Sequence, residues 1–272
     1  MKMTLPKLIA VDLDGTFFDD QQQINGEKFG ALLDQLDAEG GHFVTATGNN
    51  RQVVDRFLAS FVGRFDYVVQ NGSQIVTKDN QTLVLHTLPL DKVATVQAAV
   101  AEFGEARHGN VYTTTENGYM MREDKERGEF FEHMATEFPD LIFIDSLTEI
   151  PDPITKVIIN VPDDKADAFI KKLNAQLAGE AYVTTSGFGA IDVIAPGINK
   201  AVGLKELAAH YGIGFDEMMA FGDGGNDLEM LQAVGHPFAM TNANETLRGQ
   251  FPLTVADNNH DGVLDTIARF AD

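Results

Sequence analysis

Asp12-Leu13-Asp14-Gly15-Thr16 closes the apolar run Leu8-Ile9-Ala10-Val11. Side chains alternate along a strand, so acids two positions apart leave its end on the same side. Such carboxylates repel unless something compensates them. A hard divalent cation is the simplest compensation, since Mg²⁺ takes ligands from one or two carboxylates and a phosphate. A carboxylate beside such a cation can also attack phosphorus and form an aspartyl phosphate. Taken alone, the pentapeptide could also be an acidic turn on a strand end.

Three more polar clusters fall at or near predicted element ends: Thr47-Gly48-Asn49, Asn199-Lys200, and Gly222-Asp223-Gly224-Gly225-Asn226-Asp227. Each has a plain explanation. Thr47 can cap a helix, Lys200 can be a solvated cation, Asp227 can face a helix dipole, and the glycines can form a turn. Together they supply what phosphoryl transfer needs, which is mostly positioning and charge neutralisation. Asp12 attacks, a metal and Lys200 neutralise phosphate oxygens, Thr47 donates a hydrogen bond, and Asp223 holds the cation with Asp12.

The elements that must position these residues follow from periodicity. Phe29, Leu32, Leu33 and Leu36 recur with helical spacing, and Gly40-Gly41 ends that helix. Phe43–Ala46 and Tyr67–Val69 read as buried strands, with a helix through Val53, Val54, Phe57, Leu58 and Phe61 between them. Asn71-Gly72 reads as a turn into a strand pair around Ile75-Val76 and Leu83–Leu85. From about His86 pairs of strands alternate with helices, which predicts an antiparallel sheet with helices on one face. From Ala195 the strand–helix alternation resumes, with strands at Met218–Phe221, Phe238–Met240 and near Leu253–Val255. The fold expected is α/β: a Rossmann-like parallel core formed by residues 1–85 and 195–272, split by an α+β insertion at 86–194. Ligands of an open parallel sheet bind beyond the carboxyl ends of its strands, where the polar clusters fall.

Composition bounds the partners. Forty-one acids against twenty Lys and Arg give a formal charge of −21, which disfavours nucleic acid, whose binding depends on cationic side chains. No apolar run reaches the ~18–20 residues of a membrane span. There is no cysteine, so thiolate metal sites and disulfides are excluded. With no signal-peptide pattern at the N-terminus, a cytoplasmic protein is expected. Oligomeric state has no sequence signature here.

On these residues the chain resembles a haloacid dehalogenase superfamily phosphatase of the Cof type, with a C2-type α/β cap inserted after the third core strand. Asp12-Leu13-Asp14-Gly15-Thr16, Thr47-Gly48, Lys200, and Gly222-Asp223 with Asn226-Asp227 match that family's four motifs in order. Ser186-Gly187-Phe188-Gly189, Ile191-Asp192 and Pro196-Gly197 with Asn199-Lys200-Ala201 resemble its bacterial sugar-phosphatase branch. The resemblance implies Asp12 as nucleophile and Asp14 as general acid and then base. It implies Mg²⁺ held by the carboxylates of Asp12 and Asp223 and the Asp14 carbonyl, with Asp227 supporting that shell. Phosphate would be gripped by Thr47, Gly48, Lys200, Asn226 and the Leu13 N–H. The cap would close over the core and read the leaving group through Ser186, Phe188 and Asp192. The substrate implied is a small phosphorylated metabolite, most simply a sugar phosphate. A sugar phosphomutase and a catalytically inactive phosphate-binding regulator are the alternatives. Many relatives carry Arg after the second-motif glycine, where this chain has Asn49, with Arg51 two places on.

Overall fold

In the computed structural model, residues 5–103, 109–125, 128–185 and 190–271 are described. The chain opens with β1 (Leu8–Val11), α1 (Gly26–Glu39), β2 (His42–Ala46), α2 (Arg51–Phe57), β3 (Asp66–Val69), β4 (Gln74–Val76) and β5 (Thr82–Leu85). It continues through α3 (Leu90–Ala101), β6 (Gly109–Thr113), β7 (Gly118–Met121), α4 (Gly128–Glu137), β8 (Ile142–Ile144), β9 (Lys156–Asn160), α5 (Asp163–Leu177), β10 (Tyr182–Thr185) and β11 (Ala190–Ile194). It returns with α6 (Lys200–Tyr211), β12 (Met218–Gly222), α7 (Leu228–Ala233), β13 (His236–Ala239), α8 (Glu245–Arg248) and α9 (Gly262–Ala271).

Contacts divide the chain into one unit of Met1–Val84 with Asn199–Asp272 and another of Leu85–Ile198. These boundaries lie one and four residues from the ones expected from sequence, after 85 and after 194.

The first unit is built on a sheet of order β13-β12-β1-β2-β3-β4-β5. β1 is central and runs parallel to both β2 and β12, and β3 and β13 extend the parallel set. The carboxyl ends of β1, β2, β3 and β12 therefore share one edge. Leu8, Ile9, Ala10 and Val11 are all fully buried, as a strand covered on both faces requires. α1 is started by Asn25, whose side chain accepts the Lys28 N–H, and stopped by Gly40 in the left-handed conformation.

Phe17 and Phe18 anchor the chain just beyond Thr16. Phe17 packs at 4.9 Å against Phe29 of α1 and 5.5 Å against Phe43 of β2, and Phe18 at 5.5 Å against Phe57 of α2. Burying each ring stabilises the fold by roughly 1.5–3 kcal/mol. These rings fix the loop that carries the two acids.

The inserted unit has its own sheet, of order β10-β11-β9-β6-β7-β8. Two expectations are corrected here. The β7–β8 pair is parallel, because α4 carries the chain across before β8. Helices also cover both faces. Val96 and Val100 of α3 with Phe169 and Leu173 of α5 join Tyr112, Val157 and Val193, whereas Phe130, Met134 and Phe138 join Val111, Met120 and Ile158. Alternate strand residues face opposite sides, so these are two separate cores. The strand expected near Leu253–Val255 is only a single parallel bridge from Leu253 to Ala239.

Candidate active site

At Asp12 the backbone stays on the ladder, donating its N–H to Phe221 O at 3.1 Å. The chain then makes one wide turn, closed by the Phe18 N–H on Leu13 O at 2.9 Å, with Gly15 at φ +72°. Gly15 is required twice. Its φ is left-handed, and a Cβ there would stand 2.6 Å from Asp223 Oδ2. Bare backbone at this point lets the acid following β12 approach the acid following β1. Thr16 donates its hydroxyl to Asp223 Oδ1 at 2.8 Å and holds it there.

Lys200 opens α6 and is completely buried. Its Nζ stands 2.7 Å from Asp12 Oδ1 and 2.6 Å from Asp227 Oδ1. Two glycines let α6 come this close. A Cβ on Gly72 would strike Asn199 O at 2.3 Å, and one on Gly203 would strike Val68 Cγ1 at 2.7 Å. Asn199 caps the helix by accepting the Val202 N–H at 3.0 Å. Lys200 is thus neither solvated nor mobile.

Asp227 is also fully engaged. Besides Lys200 on Oδ1, its Oδ2 accepts the N–H groups of Asp223 and Gly224, each at 2.9 Å. That arrangement suits an acid that shapes the loop behind the site better than one that binds a ligand directly. Asp12, Asp223 and Asp227 nevertheless offer oxygens within 4.8 Å of one another.

The electrostatics are those of a site short of positive charge. Burial, then Asp227, pushes the Asp12 carboxyl well above the usual carboxylate range; Asp223 adds to this and Lys200 opposes it. Burial and Asp227 push Asp223 up to about 6. Burial disfavours the Lys200 charge, but Asp12 and Asp227 outweigh it and hold the ammonium above the ordinary lysine range. Three carboxylates and one ammonium leave two negative charges, the deficit a divalent cation fills. The donors are all oxygen, as Mg²⁺ prefers. The site fits that ion.

A pH-dependent response to Mg²⁺ follows. A carboxyl raised to about 6 from 3.8 keeps a proton in the folded state that the unfolded chain has released. The metal-free fold therefore loses stability as pH rises through that window. Mg²⁺ held by Asp12 and Asp223 would replace that proton. Saturating Mg²⁺ is expected to raise Tm by about 5–10 °C at pH 7.5, and by less than half as much at pH 5. Equal shifts at both values, read by scanning calorimetry, would contradict the assignment of the cation to these carboxylates.

At the carboxyl end of β2, Thr47 is buried and its Oγ1 accepts the Asn49 N–H at 3.1 Å, which leaves its own proton to donate. Gly48 follows, half-exposed at the same edge, and Leu13, whose N–H is the other expected phosphate donor, has a buried side chain. Asn226 donates to Asn71 Oδ1 at 2.9 Å. The core residues expected from sequence thus gather at one sheet edge.

Three partners escaped sequence reasoning: Thr16, Asn71 and Asn49, whose Nδ2 lies 2.7 Å from Asp14 Oδ2. The signal for Asn71 was present, since Asn-Gly marks a left-handed turn, but nothing local pointed from it to Asn226. Arg51 does not join the acids. It pairs with Asp55 at 3.3 Å, donates to Asn80 Oδ1 at 2.5 Å and covers the Tyr67 ring at 4.9 Å.

Of the candidates for the leaving group, Ser186 and Phe188 lie outside the described residues. Asp192, in β11, is wholly buried, with Oδ2 3.2 Å from the Nζ of buried Lys156. That surrounding explains an acid in a strand without any substrate.

Comparison with known proteins agrees with this chemistry. The family model described as haloacid dehalogenase-like hydrolase matches residues 9–267. The chain is 33% identical to the 5-amino-6-(5-phospho-D-ribitylamino)uracil phosphatase YbjI of Escherichia coli, over 97% of this chain and 95% of the relative. It is 27% identical to the phosphatase of the same name, YitU, of Bacillus subtilis, over 98% and 97%. Among solved structures, SMU.1108c from Streptococcus mutans superposes with a TM-score of 0.90 at 27% identity, covering 98% of this chain and 99% of that one. Among the described residues, no helix is long and apolar enough to cross a membrane.

Proposed function

Given that the chain belongs to the haloacid dehalogenase-like hydrolase family and is a phosphoric monoester hydrolase, we propose that it is a Mg²⁺-dependent phosphatase acting through an aspartyl phosphate on Asp12. Its substrates are small monoesters of a sugar or sugar-alcohol carbon. The observation that carries this reading is the cluster of Asp12, Asp223 and Asp227 around the buried Lys200 at the edge where Thr47 ends its strand.

Asp12 attacks the phosphorus and the bond to the leaving oxygen breaks. Asp14 gives its proton to that oxygen, so an alcohol departs. Asp14, now a carboxylate, takes a proton from water, and the hydroxyl attacks the phosphorus to release phosphate and restore Asp12. Lys200 and Thr47, with the N–H groups of Leu13 and Gly48 and the side chain of Asn226, hold the phosphate oxygens through both steps. Asp12, Asp223 and the Asp14 carbonyl, with Asp227 behind them, would hold Mg²⁺, which would supply positive charge between the anionic nucleophile and the anionic phosphate. The relatives named for a phosphoribitylamino compound support a polyol phosphate, whose leaving alcohol needs an acid.

The test is phosphate release over a panel of sugar phosphates, polyol phosphates, nucleotides and p-nitrophenyl phosphate, with Mg²⁺ or with EDTA. Release from pentose and polyol phosphates, abolished by EDTA and restored by Mg²⁺, is expected. Full activity in EDTA would sink the metal assignment, and a preference for nucleotides would sink the substrate class.

A further inference from the structure

We propose that Asn49 is the positioning residue for Asp14: its side-chain amide orients the carboxyl that trades protons with the leaving group and with water. The proposal rests on the acid/base role given to Asp14 above. The Asn49 amide nitrogen donates to Asp14 Oδ2 at 2.7 Å, across 35 residues of sequence. A carboxyl group rotates easily about its last bond, and a donor fixed on one oxygen removes that freedom. Asn49 thereby fixes how the carboxyl is turned toward the group with which it trades protons.

Asn49 can do this because its own backbone is held at both ends. Its N–H donates to Thr47 Oγ1 at 3.1 Å, and its carbonyl accepts the Gln70 N–H at 2.9 Å. The Asn71 N–H donates to Thr47 O at 2.9 Å. Gln70 and Asn71 have φ of 51° and 55°, a conformation that side-chain-bearing residues adopt at a cost. The turn after β3 thus aims its N–H groups at the segment Thr47–Asn49, and that segment aims an amide at Asp14.

The residue type matters. An amide N–H is a neutral donor, so it serves Oδ2 both when Asp14 is a carboxylate and when the group carries a proton. Aspartate in the same place offers no N–H and repels the carboxyl.

The leaving group provides the test. Ribose 5-phosphate releases an alcohol that must be protonated as it leaves, whereas p-nitrophenyl phosphate releases a phenolate that leaves readily without a proton. Asn49→Ala and Asn49→Asp are each expected to lower kcat/KM for ribose 5-phosphate about 100-fold, through kcat more than KM. The loss for p-nitrophenyl phosphate is expected to be less than about tenfold. Asp14→Asn, measured in parallel, shows the same split, only wider. If Asp14→Asn splits the two substrates and the Asn49 variants lose both equally, the positioning role is overturned and Asp14 keeps its own. Asn49→Asp with the wild-type ratio of the two substrates overturns it as well, since no N–H remains. If Asp14→Asn shows no split, the acid/base reading falls and this proposal with it.

Discussion

Replacing Asp12 by Asn is expected to lower phosphate release by about 10⁴-fold or more on every substrate, because the amide keeps the shape of the carboxylate and lacks its nucleophilicity. The substitution is gentle on the fold. Asp12 Oδ1 accepts from Lys200 at 2.7 Å, and an amide oxygen accepts that bond too. It also removes one of three crowded carboxylates, and that crowding together with burial is what raises the Asp12 carboxyl. Tm of the metal-free variant is therefore expected to equal or exceed that of the parent, even as turnover vanishes. A chemical trap sharpens the experiment. Acid-quenched parent enzyme, digested and read by mass spectrometry, should carry the phosphoryl group on the peptide containing Asp12, and the variant should carry none. Parent-like turnover by Asp12→Asn would end the covalent mechanism.

Lys200→Met is expected to be damaging in both respects. Methionine nearly matches the length of lysine but has no charge, so Asp12 Oδ1 and Asp227 Oδ1 lose a partner at 2.7 Å and 2.6 Å. Breaking a buried ion pair by removing one member costs about 3–5 kcal/mol, since the other charge stays behind without compensation. With two acids left behind, the loss lies toward the upper end. Activity falls as well, by roughly 10³-fold, because the cation that opposes protonation of Asp12 and neutralises phosphate is gone. The two losses separate under Mg²⁺, which restores part of the Tm by supplying positive charge and does not restore turnover. A variant with parental stability and activity would show that the buried ammonium is dispensable.

What sequence could reveal followed the chain's local grammar. Asp12, Thr47 and Asp223 stand where strands end, so alternating apolar runs locate them. Lys200 stands at a helix start, and its burial was invisible because it depends on Gly72 and Gly203, which allow contacts a Cβ would forbid. Asn49 and Asp14 meet through loops that pass at the ends of neighbouring strands, and no local pattern encodes that pairing. Asp192 was expected to read the leaving group, but the Lys156 that neutralises it lies 36 residues earlier, on β9. The second face of the inserted sheet was missed for a similar reason. Phe130, Met134 and Phe138 mark a helix with an apolar side but do not say which side of the sheet receives it.

β1 is the middle strand of the parallel set, with β2 arriving soon after it and β12 only at Met218–Gly222. During synthesis, one edge of Leu8–Val11 therefore waits through the whole insertion with its backbone groups unpaired. A bare apolar strand edge is a template for other chains, and pairings between distant segments form slowly. A chain that stalls or is cut before residue 218 would expose that edge to its neighbours. It would carry Asp12 without the strand that brings Asp223 alongside. Closure of the β1 edge and completion of the acid cluster thus depend on the same late strand.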